Sequence, residues 1–282
     1  MNNLGRRKRI DFTDLYRFSI GLIAGIIMFF PIYLTVVGGF KSKGQIFINP
    51  FGLPNPVSLE AYEAILIRGQ AYWTFLFNSV VVVAGVLLLI LTFSMTAGFA
   101  ISRLSFRGNV LLYNFFIMGM LFPLTVAILP LYLQMKSLNL LGSRAGVILA
   151  EAAFNYPLSI FIFTGFFKEI PRDLQDACYI DGGGPLMFFY RILVPLSRPV
   201  IATVSIIVFI MSWNQFLLPL LVLSDSGTFT IPLGVMQFQG QFTTGWNFIM
   251  AFITISILPM AVFYFTLQRQ IVSGLTSGAL KG

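Results

Sequence analysis

Residues 78–102 read "NSVVVVAGVLLLILTFSMTAGFAIS", a stretch without a single charged side chain. An α-helix needs about 20 apolar residues to cross the hydrocarbon of a bilayer, and this stretch exceeds that length. The rest of the chain repeats its character. The sequence of 282 residues is 57% hydrophobic and only 10% charged, whereas a soluble domain carries about 25% charge. Too little charge remains to cover a soluble surface, so the expected fold is an all-α, multi-pass membrane protein. Six spans can be placed, at about 18–40, 73–101, 110–133, 145–167, 200–223 and 247–267. The first follows Arg6-Arg7-Lys8-Arg9. It is longer than the apolar region of a signal peptide, about 7–15 residues, and shows no small-residue cleavage site, so it reads as a retained span. Pro123, Pro130, Pro157, Pro219 and Pro259 interrupt other spans, which is tolerable where neighbouring helices or water satisfy the freed backbone groups. Gly21 and Gly25 form a small-xxx-small pair suited to helix packing.

The net charge of +8 comes from basic residues scattered through short loops. That distribution points to topology rather than nucleic acid, because Lys and Arg are retained on the cytoplasmic side. With the N-terminus inside, that side holds Arg6, Arg7, Lys8, Arg9, Arg17, Arg103, Arg107, Lys168, Arg172, Arg191, Arg198, Arg269 and Lys281. The other side holds only Lys41, Lys43, Arg68, Lys136 and Arg144. Both termini are therefore expected in the cytoplasm. The domain plan is a cytoplasmic N-terminus at 1–17, a permease domain at 18–267 and a cytoplasmic tail at 268–282. Within it lie an external cap at about 41–72, a loop at about 168–199 between the fourth and fifth spans, and a Pro- and Gly-rich run, "NPFGLPNPVSLEAY", that argues against a regular strand. One cysteine, Cys178, excludes an intrachain disulfide. Without histidine, His-assisted nucleophiles and the usual zinc sites are absent. No GxxxxGK[ST] run is present, so the chain has no phosphate loop.

The cytoplasmic loop contains "QDACYIDGGGPLMFFYRILVPLSRP", residues 175–199. Pro171 suits a first helical turn, and Asp173 near that terminus complements the helix dipole. Leu174, Ala177 and Cys178 fall on one helical face. Gly182, Gly183 and Gly184 end the helix. Pro185 opens a second one, with Leu186, Phe189, Tyr190 and Leu193 along one side, and Pro195 and Pro199 are expected to break it. The result is a bent helix–turn–helix with a glycine corner facing the cytosol, shaped to enter a partner's cleft. An interfacial amphipathic loop would account for the same residues.

The spacing resembles the E-A-A, three residues, G, nine residues, I-x-L-P motif of permease subunits in ATP-binding-cassette importers. Asp176-Ala177-Cys178 takes the first position, Gly182 follows after three residues, and Ile192-Leu193-Val194-Pro195 after nine more. Asp for Glu, Cys for the second Ala and Val for Leu depart from the pattern. The ending "QRQIVSGLTSGALKG" and the runs "SWNQFLLPLLVL" and "TIPLGVMQFQGQFTTGWNFIMA" resemble the second permease subunit of the maltose-type sugar importers.

The resemblance implies a six-span type I importer permease of the MetI-like fold in a bacterial or archaeal plasma membrane. It would pair with a second permease, dock on a cytoplasmic ATPase dimer and receive a carbohydrate from an extracytoplasmic binding protein. ATP and Mg would belong to the ATPase, leaving this chain without a cofactor, a metal or catalysis of its own. Asp176 and Asp181 would make polar contacts with the ATPase, Leu186 and Phe189 would supply an apolar plug, and Gly182 would set the corner. The tail, with Gly274, Gly278, Lys281 and Gly282, would reach the ATPase interface.

Polar residues at membrane depth are the remaining candidates. Glu151 is the one acid well inside a span, at a cost of about 2.5–3.5 kcal/mol for a carboxylate at the centre of the bilayer. A solute contact or gate is one reading, and an interhelical hydrogen bond or a protonated acid near the interface is favoured over it. Asn155, Tyr156, Asn214 and Gln215 have the chemistry to line a sugar pathway, or to bond neighbouring spans. Trp73, Trp213 and Trp246 lie near span ends, where tryptophan favours the interface. An ion-coupled secondary transporter is the alternative, although its usual internal repeats and intramembrane charge partners are not evident. A membrane enzyme is harder to assemble without His, paired carboxylates or a metal cluster.

Overall fold

The computed structural model describes residues 12–238 and 245–279. It divides into two compact units, 1–68 with 238–255 and 69–237 with 256–282.

In the first unit, α1 (Phe12–Gly39) is a single long helix that continues through Pro31. No residue of its most apolar 18-residue window is buried by the chain itself, as befits a helix whose solvent is lipid, and only its end, at Gly38 and Gly39, is packed over. Beyond Gly39 come α2 (Lys43–Ile48) and α3 (Glu60–Glu63), which passes into a π turn at Ala64–Arg68. A capping box starts α2. Ser42 accepts from the Gln45 backbone N–H while the Gln45 side chain accepts from the Ser42 N–H, so two orphan donors are satisfied reciprocally.

The second unit is built on α4 (Ala71–Arg103), which contains the stretch quoted at the outset. After α5 (Asn109–Gly119) and α6 (Leu124–Ser137) comes α7 (Arg144–Glu169). The α4–α7 pair forms the centre of the core, with Val86, Ile90, Val147, Phe163 and Phe167 shielded from solvent. Gly98 permits the contact, because a Cβ there would lie 2.9 Å from the Phe163 Cβ. Close backbone approach through small residues is what drives helix pairing when lipid is as apolar as the side chains.

A short connection carries the chain into α8 (Asp173–Ile180), then α9 (Pro185–Phe188), a π turn at Phe189–Leu193 and α10 (Val194–Leu196). Next come α11 (Arg198–Trp213), α12 (Leu217–Val222), a 3-10 turn at Ser226–Thr228, α13 (Ile231–Gly234) and a second 3-10 turn at Val235–Phe238. The last helix, α14 (Trp246–Ala279), contributes its first turns to the first unit and the rest to the second. Phe209 of α11 stacks on Trp213 and on Phe263 of α14, at ring separations of 5.4 and 3.8 Å.

Among the described residues, four helices are long and apolar enough to cross a membrane, and two bent pairs, α5 with α6 and Pro185–Leu196 with α11, raise the number to as many as six. The expected spans at 18–40, 73–101, 145–167 and 247–267 correspond to α1, α4, α7 and α14. The span expected at 110–133 is not one helix. It is α5 and α6, meeting at 103°. Pro123 has no N–H for the Gly119 carbonyl and pushes Phe122 out of helical backbone, so α5 ends at Gly119. The span expected at 200–223 also breaks, between Trp213 and Leu217, where Pro219 would collide with the Gln215 carbonyl one turn earlier. By contrast α7 runs through Pro157. There Asn155 donates to the Glu151 carbonyl at 2.8 Å and Ser159 to the Asn155 carbonyl at 2.9 Å.

Beyond α12 the chain is tied to the start of α4. Asn78 donates to the carbonyls of Gly227 and Phe229, both at 2.9 Å, and accepts from Arg144 at 3.0 Å. Ser79 accepts the Ile231 backbone N–H at 2.8 Å. The two polar residues that open the longest apolar stretch therefore anchor a connection some 150 residues later.

Candidate functional site

The loop between α7 and α11 is held from both ends. At its start, Arg103, the last residue of α4, donates to the carbonyls of Phe167 and Ile170. These are orphan acceptors at the C-terminus of α7, where the helix dipole favours a cation. Two neighbouring contacts complete a ring of ties. Asn109 of α5 donates to the Ile101 and Leu104 carbonyls at 2.9 and 3.1 Å, and Lys168 of α7 lies 4.9 Å from the Tyr113 ring of α5. Every one of the three helices is thus tied to another at the end where the loop departs.

The loop then turns as a Schellman motif. The Gly183 N–H donates to the Cys178 carbonyl at 2.8 Å and the Gly182 N–H to the Tyr179 carbonyl at 3.1 Å, the paired bonds that close a helix through a left-handed residue. Of the three glycines, Gly182 alone has positive φ, at 82°. Gly183 is needed for a different reason, since a Cβ there would sit 2.6 Å from the Cys178 sulfur and 2.8 Å from its carbonyl oxygen. Pro171 precedes α8, with Arg172 at the N-cap and Asp173 and Asp176 in the first turn.

The second arm is held by aromatic packing. Phe188 and Phe189 are buried, with ring centroids 6.3 and 5.0 Å from Phe99 of α4. Burial is worth about 1.5–3 kcal/mol for each such ring. Phe189 was expected to face a partner as part of a plug. It faces the core instead, because the π turn at Phe189–Leu193 rotates it inward alongside Leu193. Pro195 and Pro199 were expected to break this helix, and it ends between them, bending by 74° from Leu196 into Arg198. The Val194 N–H already bonds to the Phe189 carbonyl in the wider π register, and α10 continues to Leu196. Pro199 lies in the first turn of α11, where its missing N–H costs nothing.

What remains on the surface is a compact corner. Asp176, Ala177, Asp181, Gly182 and Pro195 are exposed, whereas Cys178 is buried beneath them. The apolar tip consists of Ile180, 86% exposed, and Leu186, 70% exposed. Ile180 escaped sequence reading because it precedes the glycines and sits off the apolar face of α8. Its position beside Asp181-Gly182 was the available signal.

Of the residues placed at membrane depth, Glu151 is sealed between helices and accepts from the Ser212 hydroxyl of α11, which is the interhelical bond favoured from sequence. Asn155 bonds within α7. Asn214 donates to the Ile210 carbonyl at 2.8 Å and Gln215 accepts the Leu217 N–H at 3.1 Å, so both cap the break between α11 and α12. Tyr156 differs. With Phe93, Thr96, Ala97, Phe116 and Ile160 it lines an open groove of about 490 Å³. In the tail, Gly274 and Gly278 fall within α14, and Lys281 and Gly282 lie outside the described residues.

Residues 90–277 match the family profile described as binding-protein-dependent transport system inner membrane component. The sulfoquinovosyl glycerol transport system permease protein SmoH of Agrobacterium fabrum is 32% identical, over 94% of this chain and 92% of its own. The diacetylchitobiose uptake system permease protein NgcG of Streptomyces coelicolor is 30% identical, over 92% of this chain and 86% of its own. Among solved structures, a chain of a bacterial ABC transporter involved in the import of the acidic polysaccharide alginate superposes with a TM-score of 0.80 over 95% of this chain and 99% of that one, at 22% identity. The fold is therefore that of an importer permease, and the chain belongs to the binding-protein-dependent transport system inner membrane components.

Proposed function

We propose that this chain is one of two permease subunits in an ATP-driven importer of a carbohydrate or sugar derivative. Support for the solute class comes from the relatives, whose names specify a sulfoquinovosyl glycerol and a diacetylchitobiose. An extracytoplasmic binding protein delivers the solute, and a pair of cytoplasmic ATPase subunits binds ATP and Mg. Both termini and the α8–α10 loop face the cytoplasm, in line with the basic residues on that side. The ion-coupled alternative finds no support among the relatives.

The observation that carries the coupling role is the exposed corner on a buried footing. Ile180 and Leu186 form the tip that enters a groove of the ATPase, and Asp176 and Asp181 contact its polar rim. Gly182 and Gly183 keep the turn tight, and Cys178 packs the inside of the turn. Phe188 and Phe189 make the corner rigid with α4. When ATP closes the ATPase pair, the grooves carry the corner, and Arg103 passes the displacement at the end of α7 to α4. The tail containing Gly274, Gly278, Lys281 and Gly282 reaches the same interface. On the solute side, Tyr156 with Phe93 and Phe116 offers aromatic faces suited to sugar rings, whereas Glu151, Asn155, Asn214 and Gln215 hold the helices that frame the path.

Co-purification tests this reading, with the tag on an N-terminal extension. The wild-type chain is expected to bring down a second permease and a cytoplasmic ATPase, and the Asp176→Lys/Gly182→Val variant to lose the ATPase but keep the permease. A chain that purifies alone and carries solute into liposomes without ATP would refute it.

A further inference from the structure

The segment after α1 does not simply leave the membrane. It turns back along the helix. Phe51 stacks on Phe30 of α1 with ring centroids 6.0 Å apart, and the Tyr33 hydroxyl donates to the Phe51 carbonyl at 3.3 Å. Phe30 lies nine residues before Gly39, about 13 Å along the axis at 1.5 Å per residue. The apolar span of α1 has 25 residues, longer than the roughly 30 Å of hydrocarbon requires. Centred on about Ile27, it meets the hydrocarbon edge near Val37. Phe51 thus sits inside that edge, in the leaflet at the Gly39 end.

A backbone at that depth must have its polar groups satisfied internally, and the segment supplies the partners. Lys41, 1% exposed, aims its ammonium back at the carbonyls of Asn49 and Pro50, at 2.8 and 2.9 Å. The Asn49 side chain accepts the Gly52 N–H at 3.0 Å, and Gln45 donates to the Pro56 carbonyl at 3.0 Å. Its large apolar side chains turn outward, beside the exposed Asn49 and Asn55. Phe47 is 66% exposed, Ile48 87%, Phe51 63% and Leu53 71%. From Gly44 to Leu59 the sequence contains no charged residue, so no charge along that run resists transfer out of water. The outward side chains also continue the lipid-facing surface of α1.

We propose that residues 44–57 form a membrane-inserted segment that does not cross the bilayer, seating Phe47, Ile48, Phe51 and Leu53 among the acyl chains of the leaflet at the Gly39 end of α1. Lys41 is its internal staple. The segment anchors that end of α1 independently of the corner formed by α8–α10.

The test uses the assembled complex in lipid nanodiscs. Trp73, Trp213 and Trp246 are replaced by Phe, one Trp is placed in this chain by Ile48→Trp or Phe51→Trp, and the emission of the same complex without that Trp is subtracted. Fluorescence is read with lipids brominated near the top of the acyl chain and, separately, with acrylamide. Emission is expected to fall to less than half with bromolipid and to change little with acrylamide. Strong acrylamide quenching without bromolipid quenching would put the segment in water and overturn the proposal. Insensitivity to both quenchers would give the surface to a partner subunit, and overturns it equally. If the Trp-substituted background does not assemble, Ile48→Cys in a Cys178→Ala background can carry a spin label. Greater accessibility to oxygen than to a water-soluble nickel chelate is then the expected result, and the reverse order refutes insertion.

Discussion

Two regions outside the packed helices expose large apolar side chains, and they hold them in opposite ways. The α8–α10 loop presents Ile180 and Leu186 on a surface that also carries Asp173, Asp176, Asp181 and Arg191. Its footing is apolar, with Phe188 and Phe189 against Phe99. The segment after α1 presents Phe47, Ile48, Phe51 and Leu53 on an uncharged run, and its footing is polar, with Lys41 on two carbonyls. A loop that works in water keeps charge outside and seals apolar groups within. One that sits in lipid reverses both, because unsatisfied backbone is what hydrocarbon penalises. The environment of each region is thus legible in what pins it.

That contrast can be broken from either side. The largest effect is expected from Phe189→Ala, which empties a ring-sized volume at a cost of about 3–5 kcal/mol. The loop should loosen, with protease cleavage near Gly182 and loss of the bound ATPase, while the helices stay inserted. Lys41→Met removes the donor for two carbonyls at about 1–3 kcal/mol each, and should expose a Trp at position 51 to acrylamide without disturbing ATPase binding. Gly182→Val forces a β-branched residue into left-handed backbone, at about 1–2 kcal/mol or more. It should weaken ATPase recovery in a pull-down more than it lowers the melting temperature of the isolated chain. The smallest change is expected from Ser212→Ala, which deletes one interhelical hydrogen bond and leaves the buried Glu151 carboxyl without that partner, at about 1 kcal/mol. A thermal shift in detergent should register a slight decrease there. If Lys41→Met uncoupled the ATPase, or Phe189→Ala left it bound, the two footings would not be separate devices.

Much of this was readable from local chemistry. The helices α1, α4, α7 and α14 follow from apolar length, and the corner from Asp173, the glycines and Pro185 at their spacing. The break at Pro123 was the kind of feature a proline announces, yet α7 runs straight through Pro157. A proline alone does not decide whether a span breaks, and α7 is buried on both sides of Pro157, at Glu151, Ala152, Ser159 and Ile160. The site was half legible. Leu186 reached the surface as expected, but Phe189 turned inward and Ile180 took the other place at the tip. Arg103 passed as a topological charge until its carbonyl partners on α7 came into view.

The sequence alone determined the medium, the helical class and the position of the glycine corner. Hydrophobic length, charge density and the backbone limits of glycine and proline are local quantities that need no partner. Only the tertiary structure decided which side chains are footing and which are contact. Phe189 meets Phe99, Glu151 meets Ser212 and Asn78 meets Gly227 across long stretches of chain. Such pairings follow from how the helices pack, and no periodicity within a single helix encodes them.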